Sequence, residues 1–197
     1  HVDPELAAAT PVLSLLKGKA LNVFVPDNWN GITGVPELEL KFRSDMPERY
    51  KPPTRHVNPR LFEAAEKEFN RLCGYFYEPS RSPWASPIVL APKATKPFIR
   101  YCGDYSWLNK YLDVQHYPIP NVRHELDRII NYKYYIDIDL TNAFHQIRLA
   151  EDTRKYLSVQ TPWGQYQPKF MPEGIGPGSF VLQETVGQIF AEFTDWA

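Results

Sequence analysis

Apolar residues recur every three or four positions in three stretches of the chain, and each of these stretches predicts an amphipathic helix. The clearest covers 58–74, where Asn58 can cap a helix that has proline in its first position and ends at a glycine. The other two cover 118–130 and 179–193. The faces to be buried are Phe62, Ala65, Phe69 and Leu72 in the first helix, Val122, Leu126, Ile129 and Ile130 in the second, and Leu182, Val186, Ile189, Phe190 and Phe193 in the third.

Short β-rich runs bounded by turn residues predict the strands. Ser86–Ala91 and Phe98–Tyr105 flank the turn-prone "PKATKP" and are expected to pair as a hairpin. A second hairpin is expected within 156–170, and 133–140 is expected to form a further strand. Because strands and helices are mixed without a regular alternation, the pattern favours an α+β fold with an antiparallel sheet and packed helices.

Composition places this pattern in a globular protein. The 197 residues are 43% hydrophobic and 14% aromatic, which is enough to bury a core. No apolar run reaches the length of a membrane span, so we expect a soluble, intracellular protein with no membrane partner. Cys73 and Cys102 lack CxxC spacing, which argues for two reduced thiols and against a disulfide framework or a zinc site.

Prolines and charge are unevenly distributed. Seven of the nineteen prolines fall in 1–57, which we interpret as a Pro-rich connector or lead-in before a compact body that begins at Asn58. The net charge of −1 argues against a protein that coats nucleic acid, yet 41–60 has a local basic surplus. This segment would contact phosphates or form a solvated arm. Its basic residues are Lys41, Arg43, Arg49, Lys51, Arg55 and Arg60, against Asp45 and Glu48.

Asp137 and Asp139 lie one residue apart in the apolar stretch "YYIDIDLTNAFHQIRL". On a strand both would face away from the core, roughly 7 Å apart. Two carboxylates at that distance repel each other unless water, a basic side chain or a cation lies between them. A solvated strand face and a divalent-cation site both remain open from this feature alone, and a hydrolase built on this pair would lack a second set of ligands.

Four blocks in order carry a family resemblance: "SRSPWASPIVLAPK", "RYCGDYSWLNKY", "DLTNAFHQI" and "SVQTPWGQYQPKFMPEGIGPGSF". Together they resemble the fingers and palm of reverse transcriptases of the Gypsy-like LTR retrotransposon group, from about Leu38 to Trp196. The resemblance implies a right-hand polymerase fold, with 58–133 mainly fingers and 134–197 a partial palm. It also implies primer–template nucleic acid and deoxynucleoside triphosphates as partners.

In the palm, the resemblance places the first catalytic aspartate at Asp139 and the backbone metal ligand at the Leu140 carbonyl. Two Mg²⁺ ions, or Mn²⁺ in their place, would activate the primer hydroxyl and neutralise the leaving pyrophosphate. Phe144 matches the aromatic that packs under the incoming sugar and excludes a 2′-hydroxyl, although the same residue is also typical of a core aromatic. Asp137 falls on a variable position and receives no catalytic role.

In the fingers, the resemblance assigns the clamp on the triphosphate to Lys93 and Arg100. Each of them is otherwise typical of an ordinary surface charge. Asp104, Tyr105 and Asn109 match the "VDYRxLN" signature and are expected to bind the template, with the aspartate and the aromatic helping to position the template base. The arginine that follows the aromatic in the family is Ser106 here, which predicts the loss of one contact.

The glycine-rich stretch "MPEGIGPGSF" matches the loop beneath the nascent base pair, in which Gly174 allows the nucleotide a close approach. Glu173 departs from the family, which has Phe or Gln there, and its carboxylate would repel a triphosphate unless a basic residue or metal answers it. Gln183 matches a template-side residue.

The second metal motif of the family, Tyr-x-Asp-Asp, is not present in the 197 residues. We therefore expect this polypeptide to be inactive alone. It would be completed by the rest of a polyprotein with the remaining palm, a thumb and ribonuclease H, in the cytoplasm within a virus-like particle or in the nucleus, and its oligomeric state is open. The alternative is a domesticated or decayed relative with a nucleic-acid-binding or structural role.

Overall fold

The computed structural model describes residues 30–94, 98–113, 130, 133, 139–140 and 142–191. Most of these residues belong to one compact unit, Gly31–Ala197. The predicted first helix is confirmed. The Asn58 side chain accepts a hydrogen bond from the Arg60 amide at 3.0 Å and starts a 3₁₀ turn, Pro59–Leu61, which leads into α1, Phe62–Cys73.

One sheet contains five strands, which are β1 (Tyr77–Pro79), β2 (Ser86–Pro92), β3 (Ile99–Gly103), β4 (Val159–Thr161) and β5 (Gly164–Pro168). Their order across the sheet is β1-β5-β4-β2-β3. Its pairs are antiparallel except for β2 and β4, which run parallel. The two predicted hairpins are confirmed as β2 with β3 and β4 with β5.

Further helical segments lie between β3 and β4 and after β5. The short α2, Glu151–Arg154, continues into a 3₁₀ turn, Lys155–Leu157, and α3 covers Gly178–Ile189. Two further 3₁₀ turns are Leu108–Lys110 and Ala143–Gln146. The mixture of helices with a mostly antiparallel sheet is the predicted α+β class. Within the described residues, no helix is both long and apolar enough to cross a bilayer.

The core is built around α1 and the sheet, where Phe69 of α1 is 3% exposed. Its ring stacks on Trp163 at 4.9 Å between centroids and meets Tyr166 edge-on at the same distance. Tyr101 lies 5.7 Å away. Three of the four residues on the predicted buried face are indeed buried. The fourth, Phe62, lies at the first turn of α1 and is 41% exposed, with its ring tilted against Trp163 at 5.4 Å between centroids.

The segment 31–57, which the proline pattern assigns to a connector, is hydrogen-bonded to later residues of the compact unit. Leu38 donates to Arg148, and Ala150 donates back to Leu38, at 2.8 and 3.0 Å. Tyr50 likewise donates to Pro83. The compact unit therefore begins at Gly31 rather than at the predicted Asn58, because single bridges tie this segment to residues far along the chain.

Two predicted elements cannot be compared with the structure. The helix at 118–130 lies outside the described residues except for Ile130, and the strand at 133–140 lies outside them except for 133, 139 and 140. The division of the chain into fingers and palm stays a prediction.

Candidate functional site

A cleft between α1, β3 and the loop before α3 gathers residues from distant parts of the chain. Lys93, at the tip of the first hairpin, lines it together with Arg100 on β3. Asn142 and His145, which follow Asp139 by three and six residues, line it from another side. Glu173 closes it from the glycine-rich loop. The fold thus brings the two predicted clamp cations beside the segment that follows the predicted catalytic aspartate.

Arg100 and Glu173 are paired across this cleft. Arg100 lies opposite Ala91 in the hairpin, so it projects at a fixed register from β3. Its Nη1 is 3.7 Å from Oε2 of Glu173, and the two side chains are 55% and 43% exposed. The basic residue that offsets the Glu173 carboxylate is therefore Arg100, one of the two predicted clamp residues.

Asn109 holds the glycine-rich loop in place. Its Nδ2 donates to the Gly174 carbonyl at 2.9 Å, and its Oδ1 accepts from the Gly176 amide at 2.8 Å. Gly174 has a φ of +91°, a left-handed conformation that a side chain would strain. The structure therefore gives Asn109 a direct role in shaping the loop, whereas the resemblance assigns it to the template.

Asp104 is fixed from two directions. The Ser106 hydroxyl and amide donate to its Oδ1 at 2.6 and 3.2 Å, and Arg55 pairs with its Oδ2. These Ser106 hydrogen bonds, aided by the Arg55 charge, lower the pKa of the Asp104 carboxyl. Position 106 carries no guanidinium, and the Arg55 side chain, from the segment 31–57, lies beside Asp104.

Tyr105 belongs to the core. Only 1% of it is exposed, and its hydroxyl donates to the Leu157 carbonyl at 3.0 Å. Burial raises the pKa of its hydroxyl far above the ordinary value. Its ring fills the space next to Gly103, where an added Cβ would lie 2.5 Å from the ring carbon Cζ. The side chain is therefore not available for the direct template contact that the resemblance implies, because the protein interior encloses it.

Asp139 and Leu140 are both exposed. In the described residues, no three His, Cys, Asp or Glu side chains group together as metal ligands. Phe144, in the 3₁₀ turn Ala143–Gln146, is partly buried against Gly178 at the start of α3, where an added Cβ would lie 3.4 Å from its ring. The residue that the resemblance places under the sugar thus packs against the helix that follows the glycine-rich loop.

Gln183 is exposed on α3, where a template contact is sterically open. The adjoining, apolar side of this helix contributes Leu182, Val186 and Ile189 to a groove that Leu140 also lines. On the face that the sequence predicts to be buried, Leu182, Val186 and Phe190 are only partly buried and Ile189 is 42% exposed, while Phe193 lies outside the described residues.

His145, a partly buried residue of the cleft lining, has no role that the sequence predicts. The His145 ring stacks on Phe76 at 4.1 Å, and its Nδ1 is 3.3 Å from the Tyr75 hydroxyl. Burial, and then the nearby positive charge of Arg71, lower the pKa of His145 to about 4. Arg71 is held by Glu68 through two hydrogen bonds of 2.7 and 2.8 Å. The i,i+3 spacing of Glu68 and Arg71 is visible in the sequence, but the packing of His145 against Phe76 is not.

His145 should make the folded state sensitive to acid. Because its pKa in the folded chain is below the ordinary 6.5, the unfolded chain binds a proton that the folded chain does not. The free energy of unfolding is therefore unaffected by His145 titration above about pH 6.5. It decreases as the pH falls towards 4, by roughly 3 kcal/mol at full effect. Urea unfolding of wild type and His145→Gln at pH 7 and pH 4.5 measures this. The variant should lose less stability on acidification, and equal losses would contradict the assignment.

Comparisons with known proteins agree with this arrangement. The sequence model of the family described as "Reverse transcriptase (RNA-dependent DNA polymerase)" matches residues 92–196. The retrovirus-related Pol polyprotein from transposon opus of Drosophila melanogaster is 29% identical over 98% of this chain and 20% of its own length. The Pol polyprotein from transposon 412 of the same fly is 31% identical over 75% of this chain and 12% of its own length. The chain thus spans a fifth or less of these relatives.

A solved structure of the foamy viral protease–reverse transcriptase, in complex with an RNA/DNA hybrid, has the same fold. It superposes with a TM-score of 0.78 and 18% sequence identity, over 98% of this chain and 26% of the viral one. The likeness shows the fold: a mixed α+β arrangement of a five-stranded sheet with a few helices, consistent with a partial fingers and palm.

Proposed function

Because the chain belongs to the reverse transcriptase (RNA-dependent DNA polymerase) family, we propose that it is the fingers and part of the palm of an RNA- and DNA-dependent DNA polymerase. Its similarity to the opus and 412 polyproteins supports an origin in a retrotransposon polyprotein of the Gypsy-like group. The remaining palm, a thumb and ribonuclease H would come from the same polyprotein, and the substrates are a primer–template and deoxynucleoside triphosphates.

The cleft is the observation that carries this proposal. Lys93 and Arg100 converge there with Asn142 and His145, although about 40 to 50 residues separate the two groups in sequence. Cations bind phosphate oxygens through charge-assisted hydrogen bonds, and arginine offers two in parallel. A triphosphate held by these side chains would therefore lie beside the segment that begins at Asp139.

In the proposed reaction, the 3′-hydroxyl of the primer attacks the α-phosphate of the nucleotide and pyrophosphate leaves. The Asp139 carboxylate and the Leu140 carbonyl would hold Mg²⁺, since both are oxygen ligands of the kind this ion prefers. The metal supplies activation of the hydroxyl and neutralisation of the leaving group. Phe144 would exclude a ribose 2′-hydroxyl and so favour deoxynucleotides.

The template would lie towards Asp104 and Gln183. Arg55 and Arg43 are paired with Asp104 and Asp45, so the basic surplus of 41–60 is partly neutralised within the protein. The remaining basic residues of this segment, Lys41, Arg49, Lys51 and Arg60, are exposed and would contribute a salt-dependent attraction to the nucleic-acid backbone.

Primer extension tests the proposal. We expect a polypeptide that continues these residues through a Tyr-x-Asp-Asp hairpin to add deoxynucleotides to a primer on RNA and DNA templates, with Mg²⁺ required. The 197-residue polypeptide should add none, because it has no adjacent aspartate pair. Incorporation by the 197 residues alone would contradict the second expectation.

A domesticated or decayed relative is the second candidate, and the ion pair between Glu173 and Arg100 favours it, since it weakens the phosphate clamp. In that case the longer polypeptide would bind primer–template in a salt-sensitive manner without extending the primer. The same assay, combined with fluorescence anisotropy at two salt concentrations, separates the two candidates.

A further inference from the structure

Glu173 is held in the cleft by the backbone on both sides of it. Pro172 precedes it with a fixed φ, and Gly174 follows it in a left-handed conformation. The two hydrogen bonds from Asn109 fix the loop at Gly174 and Gly176. Since the loop cannot readily carry the carboxylate away, only rotation of the side chain can separate Glu173 from Arg100.

The charges that line the cleft leave little net attraction for an anion. Within the described residues, Arg71 is neutralised by the two hydrogen bonds that it donates to Glu68. Lys93, Arg100 and Glu173 are the other charged groups of the lining, and together they amount to a single positive charge. With a neutral side chain at position 173 the same cleft would carry two.

We propose that Glu173 acts as a latch on Arg100, meaning a displaceable ion-pair partner. In the chain without nucleotide, the Glu173 carboxylate pairs with the Arg100 guanidinium, and a nucleoside triphosphate binds by displacing that carboxylate. This inference rests on the proposed function, since it takes the cleft as the triphosphate site. Glu173 is a positioning residue in this scheme, because it acts on the ligand through Arg100.

The ion pair between Glu173 and Arg100 is weak enough for a triphosphate to replace it. The ion pair is 3.7 Å long with both side chains about half exposed, a geometry in which solvent screens most of the attraction. A triphosphate offers the same guanidinium several charged oxygens and a bidentate geometry. A polyphosphate can therefore open the latch, and an anion of low charge competes less well with the carboxylate.

Calorimetric titration of the 197-residue chain with sodium tripolyphosphate, at constant ionic strength and with MgCl₂ present, tests the latch. We expect Glu173→Gln to lower the Kd by about three- to fivefold, the scale of a half-exposed ion pair. Glu66→Gln, on the exposed side of α1 and outside the cleft lining, removes the same charge elsewhere and should change the Kd by less than about 1.5-fold.

Arg100→Gln completes the cycle. In the Arg100→Gln background Glu173 has no guanidinium to pair with, so the gain in tripolyphosphate affinity from Glu173→Gln should largely disappear. An equal gain in both backgrounds would overturn the latch in favour of general repulsion. A wild-type chain that binds tripolyphosphate as tightly as Glu173→Gln would also overturn it, while leaving the proposed function in place. Absence of binding in every variant would overturn the cleft as a triphosphate site, and with it both proposals.

Discussion

Asp139→Asn is expected to lower primer extension by about 10³-fold or more in the longer polypeptide that carries a Tyr-x-Asp-Asp hairpin. Asparagine keeps the size of the side chain but removes the negative charge that would hold a divalent cation. Because Asp139 is exposed, its replacement removes no buried contact. The measurement is the rate of single-nucleotide incorporation at saturating Mg²⁺, together with a thermal melt to show that folding is unchanged.

Asp137→Asn is the matched control, because it removes the same charge two residues earlier on a position without an assigned role. It should retain activity within about threefold, the scale of a remote charge change. Comparable losses in both variants would show that charge in this segment, rather than ligation by Asp139, sustains the reaction. Full activity of Asp139→Asn would make the catalytic assignment wrong.

Phe69→Ala is expected to lower the free energy of unfolding by about 4 kcal/mol. The substitution empties the space between α1 and the sheet, where the ring contacts Trp163, Tyr166 and Tyr101. Lost transfer energy, the cavity and the aromatic contacts all act in the same direction. Urea unfolding followed by tryptophan fluorescence measures the change.

Phe62→Ala makes the same chemical change two turns earlier on the same helix. Phe62 is 41% exposed although it also approaches Trp163, so its replacement should cost less than about 1 kcal/mol. If the two substitutions cost the same, the core would not be centred where the structure places it. A change in the slope of the unfolding curve would point instead to an altered unfolded state.

Local signals in the sequence predict the local elements well. The helix that begins after Asn58 is specified by its cap, its proline and its apolar period, and the structure has it at that position. The hairpin at Pro162–Gly164 depends on a turn of a few residues, and its strands pair as expected. In both cases the information lies within about fifteen residues of chain.

Long-range pairings escape the same reasoning. Leu38 bridges to Leu149 and Tyr50 bridges to Trp84 through isolated contacts, which impose no period on the sequence of 31–57. The parallel pairing of β2 with β4 also joins residues about seventy positions apart. Proline content therefore predicts a connector at 31–57, whereas in the structure this segment is part of the compact unit.

In the candidate site, too, the sequence predicts which residues are involved but does not predict their long-range contacts. Residue type and motif order single out Lys93, Arg100 and Glu173, and the structure brings all three to one cleft. Which of them contact each other is decided by tertiary structure, as is the burial of Tyr105. The arginine beside Asp104 could not be found from a motif, because Arg55 lies 49 residues earlier in the chain.

The contact between Gly103 and Tyr105 has a consequence for how such sequences diverge. The Tyr105 ring fills the space that a side chain at position 103 would need. A side chain at 103 is therefore acceptable only after the ring at 105 has become smaller or has turned away. Single substitutions along a lineage would therefore have to occur in a set order, with position 105 changing first. Among descendants of this chain, the two positions should covary, and an intermediate with both side chains large should be rare.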